Sequence, residues 1–283
     1  MPDSTLNCDI VSYPIAVNGV AGRVLEIGDG DNVIVCLHGT GSRADRWRPA
    51  MPALAAAGYH VYALDCPGHG FAYKGPDFTY TEPAFAEFVA GFIEQVSPGG
   101  VTIAGTSMGG HLAVLIARDH SHLVKTVAFI GGVGLVSTKH IVREQAPDTS
   151  DVSEAGVRRK LEFLVYDPKL VTDSWIREER RINTSPGAPE ALAALNQYSH
   201  EEDIVGEAYR TLGIPTVIIW GAQDKWTPVS WGEAVHEFLP ESPMVLIEAT
   251  GHAPYFERPD AFSSALISYL ADPVAFGSGV TAV

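Results

Sequence analysis

The sequence predicts an α/β fold: a mostly parallel central sheet flanked by helices, with an inserted helical cap. Three observations carry that prediction. Short, continuous apolar runs such as Val33 to Leu37, Tyr59 to Leu64 and Val124 to Ile130 alternate with helical stretches, as strands buried on both sheet faces do. A glycine-rich junction, VTIAGTSMGGHLAVLIA from Val101 to Ala117, passes from an apolar strand directly into an apolar helix. Between Gly134 and Gly206 roughly seventy residues carry no continuous β run, too many for an ordinary loop, so they read as an inserted helical unit. The expected division is core for residues 1–133, helical cap for 134–206, and core again for 207–283.

Taken in order, Asp9 to Val17 and Gly22 to Ile27 read as an edge hairpin turning at Asn18-Gly19. Val33 to Leu37 is a buried strand that ends in His38-Gly39-Thr40-Gly41-Ser42. Trp47 to Ala57 is helical in pattern, and Tyr59 to Leu64 is the next strand, closed by Asp65-Cys66-Pro67-Gly68-His69-Gly70. Thr81 to Val96 sets Phe85, Phe88, Val89, Phe92 and Ile93 on one helix face, and Pro83 suits its start. Beyond the strand Val124 to Ile130, the cap offers helices over Glu154 to Val165, Thr172 to Ile182 and Pro189 to Tyr198. Their many charges read mainly as solvated faces. Pro215 to Trp220 and Met244 to Ile247 resume the sheet, the second as its last core strand, and Pro259 to Leu270 is a closing helix.

Composition narrows the function. The chain has 283 residues, 46% apolar and 19% charged, enough to bury a large core in one α/β unit. Its formal charge of −15 argues against nucleic acid or an anionic membrane as partner. An anionic substrate would need local positive groups against that field. Cys8, Cys36 and Cys66 are odd in number and widely spaced, which suggests reduced thiols rather than a disulfide frame or metal site. The opening MPDSTLNCDI lacks a basic segment followed by an apolar one, and no apolar run approaches the ~18 residues of a membrane span. The expectation is a cytoplasmic protein with a small-molecule substrate, no cofactor and no metal. Monomer and homo-oligomer are both left open.

The chemistry centres on Gly105-Thr106-Ser107-Met108-Gly109. Strand, G-x-S-x-G, helix is the setting of a nucleophile elbow, in which the serine is raised on a strained turn at a helix N-terminus. Side chains at Gly105, Gly109 and Gly110 would collide with neighbouring backbone there. A serine hydroxyl needs a base, and the base needs an orienting group. Asp224 follows the strand ending at Trp220, and His252 follows the strand ending at Ile247, both at the sheet edge where ligands bind in open α/β folds. The order Ser107, Asp224, His252 completes the set, whereas Asp65 reads as structural and Asp203 as solvated. The backbone N–H groups of Met108 and Thr40, with Gly41 beside Thr40, are the expected oxyanion donors, and His38 is expected beneath their loop.

H-G-T-G-S, D-C-P-G-H-G, G-T-S-M-G-G, G-A-Q-D and G-H-A-P-Y-F-E-R-P fall in this order along a chain that resembles an α/β-hydrolase-fold enzyme throughout. The cap segment Leu164 to Asp173, the arginine-bearing helix after it and Ser185-Pro186-Gly187 resemble those of the meta-cleavage product hydrolases. That resemblance implies hydrolysis of a carbon–carbon bond in a 2-hydroxy-6-oxo-hexa-2,4-dienoate formed by opening an aromatic ring. It also implies substrate contacts at Trp47, Thr106, Arg180 and Ala253, and Tyr166, with Trp175 and Tyr198, is a further pocket candidate from the cap. The chain departs from the family in carrying Thr106 and Pro49 where asparagines are usual, and Ala253 where tryptophan is usual. Glu179 or Arg180 falls at the cap arginine. An ester or lactone hydrolase acting on a small apolar substrate is the alternative. A cofactor-free dioxygenase of the same fold is more distant, and a non-catalytic receptor has no need of the whole set.

Overall fold

The computed structural model describes residues 10–142 and 144–283; Cys8 and the expected strand start at Asp9 lie outside them. In chain order the strands are β1 (Val11–Val17), β2 (Val20–Ile27), β3 (Asn32–Leu37), β4 (Tyr59–Asp65), β5 (Val101–Thr106), β6 (Val124–Ile130), β7 (Thr216–Gly221), β8 (Met244–Ile247) and β9 (Val280–Ala282). They form one sheet in the order β1-β2-β4-β3-β5-β6-β7-β8-β9. β1 pairs antiparallel with β2 and β2 with β4; every later pairing is parallel. The edge hairpin turns at Asn18 and Gly19 with φ of 51° and 81°, the positive pair that matches a two-residue turn to strand twist.

The helices are α1 (Met51–Ala56), α2 (Glu82–Val96), α3 (Met108–Asp119), α4 (Glu154–Leu164), α5 (Asp173–Asn183), α6 (Ala188–Leu195), α7 (Gly206–Arg210), α8 (Val229–Phe238), α9 (Pro254–Glu257), α10 (Pro259–Ala271) and α11 (Pro273–Phe276). Period-two alternation divides the strands between two cores. Val35 and Leu37 pack with α2, α3 and α8, whereas Ile34 and Cys36 pack with α1 and α10. Phe85, Phe88, Val89, Phe92 and Ile93 are all buried in the first core, as their helical spacing predicts. Between β6 and β7 runs the helical insert. Its α4 and α5 send Val157, Leu161, Leu164 and Ile176 into the second core.

Two elements differ from the expected ones. The helix expected over Trp47 to Ala57 is a short 3-10 turn at Ala44–Trp47 followed by α1, because Pro49 and Pro52 supply no N–H to a continuous ladder. The sheet does not end at Met244–Ile247: β9 adds a parallel edge strand, exposed at every residue and so without an apolar pattern to announce it. Cys36 and Cys66 are free and buried, and burial pushes both thiols up. No described helix is long and apolar enough to cross a membrane.

Candidate active site

Ser107 sits between β5 and α3 with φ 54° and ψ −119°, a region non-glycine residues rarely enter and one that costs about 1–3 kcal/mol. The turn is fixed from both sides: Ser107 N–H donates to Ile130 O at 3.0 Å, and Ser107 O accepts from Gly110 N at 2.9 Å. A Cβ on Gly105 would lie 2.1 Å from Gly109 O, and one on Gly109 would lie 2.5 Å from Leu37 O, so the collisions expected from the sequence are real. Met108 opens α3, and its N–H has no acceptor within the helix.

Asp224 and His252 meet at the ends of β7 and β8, where His252 Nδ1 lies 2.7 Å from Asp224 Oδ2. Asp224 Oδ1 accepts from Thr227 N–H at 2.9 Å. Thr227 Oγ1 lies 2.8 Å from Asp224 Oδ2, 3.1 Å from Gly131 O and 3.2 Å from His252 Nδ1. Its single proton goes to the carboxylate or to the Gly131 carbonyl. His252 N–H donates to Leu164 O at 2.8 Å, which ties the histidine to the C-terminal end of α4. Glu257 accepts from the N–H groups on either side, Gly251 at 3.0 Å and Ala253 at 3.2 Å, and from Tyr166 N–H at 2.6 Å. Burial raises the Glu257 carboxyl against the pull of those three donors.

Ser107 and His252 line one cavity of about 170 Å³, walled also by Thr40, Gly41, Arg46, Lys160 and Tyr255. Ser107 lines a second of about 430 Å³, bounded by Met108, Val133, Thr138, Ile141 and Trp231. Thr40, Ser107 and Trp226 are common to both, so Ser107 stands where they meet. His38 lies under the Thr40 loop, Nδ1–H to Gly39 O at 2.9 Å and Nε2 accepting from Cys66 N–H at 3.0 Å; burial takes its pKa down to about 4.

At the smaller cavity's edge Glu179 is 1% exposed, with Oε2 at 2.8 Å from Arg43 Nη1 and Oε1 at 3.2 Å from Arg46 Nη2 and 3.7 Å from Lys160 Nζ. Burial opposes its charge, but Arg46, Lys160 and Arg43 outweigh that and hold its carboxyl down at about 2. Burial in turn draws the Lys160 ammonium below the usual lysine range.

The expected substrate contacts fare unevenly. Thr106 lines the smaller cavity. Trp47 does not: it is fully buried, stacked 3.8 Å from Tyr255, which itself forms the wall. Arg180 is exposed and donates to Val152 O, because one residue's rotation on α5 turns Glu179 inward instead. Tyr166 is 51% exposed, and Ala253, though buried, is engaged by Glu257 rather than bordering either cavity. Trp175 packs over the Arg46 guanidinium at 5.3 Å. Tyr198 donates to Asp203, which also pairs with Arg118, so Asp203 is not simply solvated. Asp65 is structural as expected, holding Arg23 and the N–H groups of Ala44 and Phe71. Arg46, Lys160, Trp226 and Thr227 were not foreseen as site residues.

The Alpha/beta hydrolase family model matches residues 34–265. The chain belongs to the alpha/beta hydrolase family. Within this family it is 30% identical over 264 residues to 2-hydroxy-6-oxo-6-(2'-aminophenyl)hexa-2,4-dienoic acid hydrolase of Metapseudomonas resinovorans, covering 90% of this chain and 89% of that protein. It is 27% identical over 267 residues to a 2-hydroxy-6-oxononadienedioate/2-hydroxy-6-oxononatrienedioate hydrolase of a Pseudomonas species, covering 88% and 91%. A serine hydrolase involved in carbazole degradation superposes with a TM-score of 0.80 at 28% identity, covering 93% of this chain and 99% of that one. The likeness to meta-cleavage product hydrolases seen in the cap motifs therefore extends along the alpha/beta hydrolase chain.

Proposed function

We propose that this hydrolase cleaves a carbon–carbon bond in a 2-hydroxy-6-oxo-dienoate-type ring-fission product of aromatic catabolism, with Ser107, His252 and Asp224 as its triad. The observation that carries the reading is the position of Ser107, strained at a helix N-terminus between two cavities, one of which it shares with the Asp224-held His252. A nucleophile between two cavities suits a substrate whose reacting carbonyl joins two arms. The dienoate hydrolases among its relatives support that choice of substrate.

In this mechanism Asp224 fixes the His252 tautomer with the proton on Nδ1, leaving Nε2 to act as base. A proton first moves to the carbon that will leave, which turns the dienol into a ketone and spares the site a bare carbanion. His252 then takes the proton of Ser107, or of a water, as oxygen attacks the second carbonyl. The Met108 and Thr40 N–H groups hold the oxyanion, each worth about a hundredfold or more in rate. The carbon–carbon bond breaks, and the protonated His252 returns its proton to the leaving carbon; where Ser107 is the attacking oxygen, a water activated by His252 then hydrolyses the acyl-serine, releasing the acid and restoring the Ser107 hydroxyl.

The test compares wild type and Ser107→Ala on ring-fission dienoates, followed by loss of visible absorbance, and on p-nitrophenyl esters of varied chain length. Rapid dienoate turnover, falling by about six orders of magnitude in Ser107→Ala, is expected. Brisk ester or lactone cleavage with inert dienoates would remove the carbon–carbon assignment and leave the triad. Oxygen uptake without hydrolysis would remove both.

A further inference from the structure

The smaller cavity has an end built for negative charge. Arg46 is 6% exposed and Ser42 9%, both line that cavity, and among the described residues Arg46 Nε and Ser42 Oγ are buried without a hydrogen-bond partner. Lys160 reaches the same wall from α4. Arg46 and Lys160 both lean on a single oxygen, Glu179 Oε1, because Glu179 Oε2 is taken by Arg43. The surrounding charges do not cancel. Three cations, Arg43, Arg46 and Lys160, converge on the single carboxylate of Glu179; Arg43 also reaches Asp45 and Glu178, whereas Arg46 and Lys160 form no other ion pair among the described residues. An excess cation beside buried, unsatisfied donors is costly unless an anion completes it.

We propose that Arg46, Lys160 and Ser42 form a carboxylate subsite, so that the substrate is an anion whose carboxylate-bearing arm lies on this side of the reacting carbonyl. Glu179 is then a positioning residue: it holds the two cations in place while leaving them short of neutral. The other arm falls to the larger cavity, where Val133, Ile141 and Trp231 stand with Glu82, Glu201 and Lys139, a lining with no excess of positive charge to draw the carboxylate there. The inference rests on Ser107 and His252 being the reacting pair, but not on which bond they break.

Two near-isosteric esters test it, p-nitrophenyl hydrogen glutarate, a monoanion, and p-nitrophenyl pentanoate, which is neutral. The readout is the ratio of kcat/KM for the anion to that for the neutral ester, in which any general loss of activity cancels. Wild type should favour the anion despite its own negative charge. The ratio should fall about ten- to hundredfold in Arg46→Gln and in Lys160→Met, the loss of a hydrogen bond to a charged group. Lys160→Met keeps the apolar stem and stands as the independent variant if Arg46→Gln does not fold. An unchanged ratio in Lys160→Met, or a wild type that prefers the neutral ester, overturns the subsite. Dienoates left untouched while the ratio behaves as expected overturn only the carbon–carbon reading. Ester cleavage that survives Ser107→Ala removes the reacting pair, and the subsite with it.

Discussion

Glu179→Gln isolates the charge of a buried carboxylate beside the site while keeping its shape and an oxygen for the guanidinium donors. Holding this carboxyl at about 2, against 4.5 for a free glutamate, corresponds to about 3 kcal/mol of folding stability at neutral pH. That agrees with the 3–5 kcal/mol or so lost when one partner of a buried ion pair is removed. Because the folded-state pKa is depressed, the contribution is present in full above about pH 4.5 and is lost as pH falls toward 2. At pH 3 it should have shrunk to less than half of its neutral-pH value. Urea unfolding of wild type and variant at pH 7 and pH 3 measures both values. A variant as stable as wild type at pH 7, or a difference that does not shrink in acid, would show that Arg43, Arg46 and Lys160 do not depend on this charge.

Three further outcomes are expected. Thr227→Val removes the hydroxyl 2.8 Å from Asp224 Oδ2 and loosens the Asp224–His252 pair, so kcat should fall about tenfold with KM little changed; a kcat within twofold of wild type counts against this role. Glu257→Ala strips the shared acceptor from the N–H groups of Tyr166, Gly251 and Ala253, at about 2 kcal/mol or more. Hydrogen exchange should quicken at those amides together, and independent behaviour of Tyr166 would mean that Glu257 does not join the cap to the histidine loop. Gly105→Ala drives a Cβ to 2.1 Å from Gly109 O, and the displaced elbow should cost about 3 kcal/mol or more, read as a lowered Tm; unaltered melting would mean that the turn can move aside.

Lys160 stands in the stripe Val157, Leu161, Leu164, at the spacing of the buried face of α4, and Glu179 stands between Ile176 and Ile182 on that of α5. The stripe predicts that both point inward and that Arg180 does not. Charge on its own favours a solvated position, since a buried charge needs a partner on another element and that partner is invisible along one helix.

The chain order of strands, the elbow glycines, and the placing of Ser107, Asp224 and His252 after successive strands are local properties, set by apolar runs and by turns that only glycine or a strained serine can make. A sequence carries these in adjacent residues, so fold and candidate triad were legible in it. Tertiary structure decided the rest. Trp47 lies behind Tyr255 rather than beside it in the cavity, because Tyr255 stacks across its face and a distant segment of chain supplies that ring. Arg46, after β3, and Lys160, on α4, meet over Glu179 on α5 only because the insert folds back onto the second core. Long-range charge balance of that kind is a property of juxtaposed elements, and no stretch of sequence holds it alone.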